Sequence, residues 1–127
     1  LTGGAGNDTF TIVANTSQFI YSSIQDAANG DILTFANSGT EVDNGQISLG
    51  SNATFSDYIG NAMLADGSSN GIFSWFNFGS NTYVVQDNSA GATYTASADI
   101  VVELVGVLDL TSSTGRTTNS ITLDVDG

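Results

Sequence analysis

Hydrophobic and polar residues alternate along much of this chain with the period of a half-buried β-strand, in short runs separated by glycine, asparagine and serine. Asp8-Thr9-Phe10-Thr11-Ile12-Val13 is the first such run, Ile32, Leu33 and Phe35 mark a second, and Gln46-Ile47-Ser48-Leu49 a third. The period then changes. Phe55, Tyr58, Ile59, Ala62 and Met63 fall at the spacings of an amphipathic helix, and Ser51, Asn52 or Thr54 can serve as its N-cap. The pattern predicts one helix near 54–65 that packs on a core. From Ile72 the chain returns to strand and turn: residues 72–78 and 82–87 read as a hairpin joined through Gly79-Ser80-Asn81, and 99–110 and 120–126 read as further strands.

Several turns carry oxygen-rich side chains. Asn29-Gly30 is a strong turn signal because both residues tolerate positive φ. Asp26 and Asp31 flank it, placed either to face a cation or to stay solvated. The cluster Asn37-Ser38-Gly39-Thr40 and the Asn44-Gly45 turn bracket short strand material. Near the start, Gly3-Gly4-Ala5-Gly6-Asn7-Asp8-Thr9-Phe10-Thr11 matches Gly-Gly-x-Gly-x-Asp-x-apolar-x, the nonapeptide of calcium-binding parallel β-helices. Its glycines permit turns that aim carbonyl oxygens inward, and Asp8 adds a carboxylate, so the loop offers a hard cation an all-oxygen shell. The candidate calcium ligands are Gly3 and Ala5 through carbonyl oxygens and Asp8, Asp26 and Asp31 through carboxylates, with Gly6 shaping the turn. Each turn supplies only half a cage, and an isolated glycine-rich turn with an Asp is equally at home in an ordinary hairpin.

Charge sharpens the picture. The 127 residues hold 13 acidic groups against a single basic one, Arg116, and no histidine, for a formal net charge of −12. Nucleic acid and anionic membrane surfaces are poor partners for such a chain. With 40% hydrophobic and 9% aromatic residues, it still has the apolar surface to fold as one domain. Repulsion among the carboxylates weakens the metal-free state, and a divalent cation shared by several of them relieves it. Cysteine is absent, which excludes disulfides and thiolate metal sites. No run reads as a membrane span or a basic-plus-apolar leader, and Leu1-Thr2 opens in mid-motif, so the chain is expected to be a piece of a longer protein.

The glycine motif followed by Ile24-Gln25-Asp26, Gly30-Asp31, Leu33 and Phe35 resembles the end of a repeats-in-toxin (RTX) β-roll over residues 3–35. Residues 74–88 and 99–106 look like the region that follows the roll in type I secretion substrates, notably bacterial surface-layer proteins of that class. One full nonapeptide is present, so the chain would keep the last turn or two of a roll. Ala27 stands where many relatives carry an aromatic residue. The resemblance implies a mainly β fold, the end of a calcium-binding parallel β-roll (1–35) continuing into a β-sandwich-like cap with one short helix (36–127). It also implies an extracellular, cell-surface location, export by a type I secretion apparatus without an N-terminal signal peptide, and folding triggered by extracellular Ca2+. Leu123-Asp124-Val125-Asp126-Gly127 suits a secretion signal or an edge strand equally.

Catalysis fits the inventory poorly, because histidine, cysteine and lysine, the usual bases and nucleophile activators, are missing. Glu41, Glu103 or a pair of aspartates would have to form a glycosidase dyad, and both glutamates sit in strand-like contexts. The rival reading is an S-layer lattice or adhesin module that self-associates, its calcium sites stiffening or bridging neighbouring subunits. Under the export reading Trp75, Phe76 and Phe78 are ordinary core, whereas an exposed aromatic patch would mark an interface.

Overall fold

The alternating runs pair into two sheets because each must hide one apolar face, and the helix hides a third. A computed structural model describes residues 1–14, 21–35, 42–64, 72–89, 93–95, 98–115 and 120–126. Its elements, in chain order, are β1 (Thr9–Ile12), β2 (Ser22–Ile24), β3 (Ile32–Phe35), β4 (Val42–Gln46), α1 (Phe55–Leu64), β5 (Ile72–Phe78), β6 (Asn81–Asp87), β7 (Ile100–Val105) and β8 (Ser120–Thr122). One sheet has the order β1-β3-β8 and the other β2-β7-β6-β5-β4. Both are mixed. β1 runs parallel to β3 and β8 antiparallel to it, while β2 joins β7 and β4 joins β5 in parallel on either side of the antiparallel β5-β6-β7 meander. The protein is thus mainly β with one short helix, an arrangement compatible with a β-sandwich.

The near-continuous apolar run of β5 follows from its position, since the five-stranded sheet is covered on both faces. Phe73 and Trp75, with Val84, Ile100, Val102, Leu104 and Ile24, meet Phe10, Ile12, Leu33, Phe35, Ile121 and Leu123 of the other layer in one core. On the opposite face Phe76, Tyr83, Val85 and Val101 meet Ile59, Ala62 and Met63 of α1. Phe55 sits in an aromatic cluster there, with ring centroids 4.8 Å from Tyr83 and 5.8 Å from Phe76. Trp75 and Phe76 are buried, at 3% and 0% exposure, and Phe78 is half-buried.

Several expected boundaries shift for identifiable reasons. Thr54 is the N-cap of α1: its hydroxyl accepts the Asp57 N–H at 3.2 Å while the Asp57 carboxylate accepts the Thr54 N–H at 2.8 Å. Asn44-Gly45 is no turn. It lies inside β4, where the register against β5 shifts between Asp43 and Gly45 and Gly45 takes φ +77°. Strand character therefore ends at Gln46, although the Ile47 N–H still reaches the Trp75 carbonyl at 2.8 Å. The run 99–110 stops as a strand at Val105, because Gly106 turns the chain at φ +105°. In the hairpin Asn81 pairs with Phe78, which leaves Gly79-Ser80 alone as the turn. The cluster at 37–40, Glu41, Ala65, Arg116 and Gly127 lie outside the described residues.

Candidate functional site

The Asn29-Gly30 turn joins β2 in one sheet to β3 in the other, so the chain between residues 22 and 35 crosses the molecule instead of folding into a hairpin. The segment before β1 makes the same crossing one level above. Thr9 pairs with Ile32 and Ile12 with Phe35, an offset of 32 − 9 = 23 residues. Gly3 contacts Asp26 and Asp8 contacts Asp31 at that same offset (26 − 3 and 31 − 8). At the far end of the crossing Leu1 brackets β2, its amino group donating to the Ser23 carbonyl and its carbonyl accepting the Gln25 N–H at 2.9 Å. Residues 1–12, the upper coil, therefore lie alongside residues 24–35, the lower coil, at a constant offset.

Two carboxylates staple the coils together. Asp26 accepts the Gly3 N–H at 3.0 Å on Oδ1 and the Gly4 N–H at 2.7 Å on Oδ2. The Gly3 N–H first, then that of Gly4, holds the Asp26 carboxyl below its ordinary range. Asp31 is buried, at 2% exposure. Its Oδ1 accepts the Asp8 N–H from the upper coil at 3.0 Å, and its Oδ2 accepts the Ala28 N–H of its own turn at 2.9 Å. The Ile32 N–H completes the rung on the Asp8 carbonyl at 2.7 Å.

The glycines earn their places by shape. Gly4, Gly6 and Gly30 take φ of +94°, +99° and +91°, where an L side chain is strained. A Cβ on Gly30 would stand 2.5 Å from Oδ1 of Asn7, and one on Gly3 would collide with the Asp8 carboxylate. Of the candidate ligands, Gly3 thus meets Asp26 and Asp8 meets Asp31 across the two turns, with the Asp8 carboxylate also beside Gly3, while Ala5 lies with Gly6 on the exposed outer bend of the upper one. The donor chemistry suits a hard cation, being all oxygen. Yet both oxygens of Asp26 and of Asp31 already receive backbone N–H groups, so a cation would have to use their second lone pairs. Among the described residues no group of three or more acidic side chains converges as a metal cage.

Asn7 and Asn29 also belong to the site, although sequence pattern marked Asn29 only as a turn residue and Asn7 only as a variable position of the nonapeptide. Asn29 accepts the Val125 N–H at 2.7 Å on Oδ1 and donates from Nδ2 to Oδ2 of Asp126 at 2.8 Å. Alongside, the Gly30 N–H donates to the Leu123 carbonyl at 2.9 Å and the Leu123 N–H to the Asp31 carbonyl at 2.8 Å. The C-terminal segment thereby covers the open side of the lower coil. The signal available in sequence was the habit of turn asparagines to bond neighbouring backbone, which does not say which backbone.

Among the other described carboxylates, Glu103 and Asp99 hold neighbouring segments together. Glu103 accepts Ser23 Oγ and Tyr83 Oη, each at 2.8 Å, and tethers β2, β6 and β7. Burial, then the hydrogen bonds of Tyr21 and Glu103, pushes the Tyr83 phenol up. Asp87 and Asp99 are fully buried, and Asp99 accepts the Asn88 and Thr95 N–H groups at 2.7 and 2.6 Å.

No protein-family model matches the sequence. No curated protein matches it either. Among the described residues no helix is long and apolar enough to cross a membrane.

Proposed function

We propose that this domain is the calcium-responsive C-terminal part of a large bacterial surface protein exported through a type I channel, its first 35 residues forming the end of a parallel β-roll. The observation that carries the reading is the 23-residue offset that relates the turn at 3–8 to the turn at 26–31 and β1 to β3 in parallel. Hairpin turns do not stack in this way; coils of one winding chain do. The charge balance supports the rest, because a chain at −12 stays expanded where divalent cations are scarce and gains from binding them where they are plentiful.

Calcium would be held by the Asp8 carboxylate beside Gly3 and by carbonyl oxygens of the upper turn, and drawing in Asp26 or Asp31 as well would require those carboxylates to shift from their N–H partners toward the ion. When bound, the ion supplies positive charge at turns whose carboxylates are otherwise met chiefly by N–H dipoles. Burial of Trp75 and Phe76 favours the export reading over a lattice or adhesin interface, since these aromatics are spent inside the domain. A non-catalytic role is supported by the engagement of Glu103 with Ser23, Asn81 and Tyr83 and by the burial of Asp87 and Asp99.

The test is a melting experiment with calcium or with chelator. Calcium is expected to raise the Tm of the unmodified protein. Asp8→Ala should abolish that rise while leaving the chelator Tm nearly unchanged, whereas Asp31→Ala should lower the chelator Tm as well, by about 3 kcal/mol of stability, because two N–H groups lose a charged acceptor. Equal melting with calcium and chelator in the unmodified protein sinks the calcium part. The export part is tested by fusing residues 1–127 behind a passenger in cells carrying a cognate channel; retention of the passenger inside the cell overturns it.

A further inference from the structure

We propose that Asn29-Gly30 is a latent deamidation site, held shut by the docked C-terminal segment, whose reaction would release that segment permanently. An asparagine followed by glycine is the dipeptide best suited to the reaction, since no side chain on the second residue obstructs ring closure. The Gly30 nitrogen loses its proton and attacks Cγ of Asn29; the Cγ–Nδ2 bond breaks, ammonia leaves, and a five-membered succinimide remains. Water then opens the ring at one of its two carbonyls, giving aspartate or isoaspartate.

In the folded protein both partners of that attack are tied to the segment that follows β8. The nucleophile, the Gly30 N–H, is bonded to the Leu123 carbonyl at 2.9 Å. The electrophile, the Asn29 carboxamide, is fixed at both ends, by the Val125 N–H at 2.7 Å and by Asp126 Oδ2 at 2.8 Å. Asn29 is nonetheless exposed to water, so burial does not protect it, whereas the hydrogen bonds to 123–126 hold both reacting groups. Ring closure needs the Gly30 nitrogen freed from the Leu123 carbonyl and the Asn29 carboxamide turned toward it out of the geometry that Val125 and Asp126 fix, which means undocking of that segment.

The product cannot restore what was lost. An aspartate at position 29 still accepts from Val125 but replaces the donor facing Asp126 with a second anionic oxygen, and an isoaspartate also lengthens the backbone of a turn whose Gly30 already packs on Asn7. Two carboxylates then face each other across a former hydrogen bond in a chain that has one basic residue to offset them.

The protein is incubated in mildly alkaline buffer, folded or in urea, and the Asn29 peptide is followed by mass spectrometry. Conversion of the folded chain should be at least about tenfold slower than in urea, and Asp126→Ala, an exposed change, should accelerate it severalfold. Separately, Asn29→Asp should speed amide exchange at Leu123 and Val125 about tenfold, and adding Asp126→Asn, which returns a donor to the pair, should restore the original rate. Equal conversion in the folded and urea-treated protein, or unchanged exchange in Asn29→Asp, overturns the proposal.

Discussion

One carboxylate can do the work of a strand rung when two backbone N–H groups point at it. Asp26 does so at the outer end of the stacked turns, with Gly3 and Gly4 as donors. The folded carboxyl therefore titrates below the ordinary value of 3.8, its anion being the form the N–H groups favour. The sign follows: this contribution is complete above the unfolded pKa and fades as pH falls through the lower folded one. Acid titration followed by NMR should show the Gly3 and Gly4 amides moving together with a midpoint below 3.8, while Asp26→Asn should remove that transition. Gly30 makes the complementary case for shape. Gly30→Ala meets both a positive φ of +91° and the Asn7 carboxamide at 2.5 Å, whereas Gly45→Ala meets only its φ of +77°, with open space around it. Gly45→Ala should then cost about 1 kcal/mol and Gly30→Ala clearly more, measured by denaturant unfolding.

The helix and the meander show what local pattern specifies. Thr54 and Asp57 exchange hydrogen bonds across the first turn of α1, so Thr54→Ala should cost about 1 kcal/mol in unfolding free energy, read as a lower denaturant midpoint at unchanged slope. This helix was legible because five apolar residues keep its period, and the β5-β6 hairpin because Gly79-Ser80 interrupts two long apolar runs. β2 was not legible. Its three residues, Ser22–Ile24, bury only Ile24, and they become a strand because β7 and Leu1 supply partners on both sides. Asn44-Gly45 misled for a related reason: the dipeptide that favours a hairpin turn also favours a bulge, and which one forms depends on the partner strand. At the candidate site, sequence pattern picked out Asp8, Asp26 and Asp31 together with the glycines, but that the last two carboxylates hold N–H groups of the first turn depends on the 23-residue offset, which no local window contains.

Across the whole molecule the two sheets share a single core, with Phe10, Ile12, Leu33, Phe35 and Ile121 on one side and Trp75, Val84, Val102 and Leu104 on the other. Unfolding should therefore be one cooperative event: fluorescence of Trp75, the sole tryptophan, should shift at the same denaturant concentration at which the far-ultraviolet dichroism is lost. Added monovalent salt should raise the Tm by screening a net charge of −12, a gain of roughly 4 °C for each 1 kcal/mol recovered. The pairing of β3 with β8 reaches further than either measurement. Ile32 aligns with Thr122, 122 − 32 = 90 residues later in the chain. A polypeptide emerging from a ribosome or a pore with either end leading delivers one of these strands long before the other. In that interval the greasy side of the smaller sheet has no lid, and closing so wide a loop is slow. The smaller sheet therefore closes late, and until it does like-charge repulsion opposes clumping of the open chains.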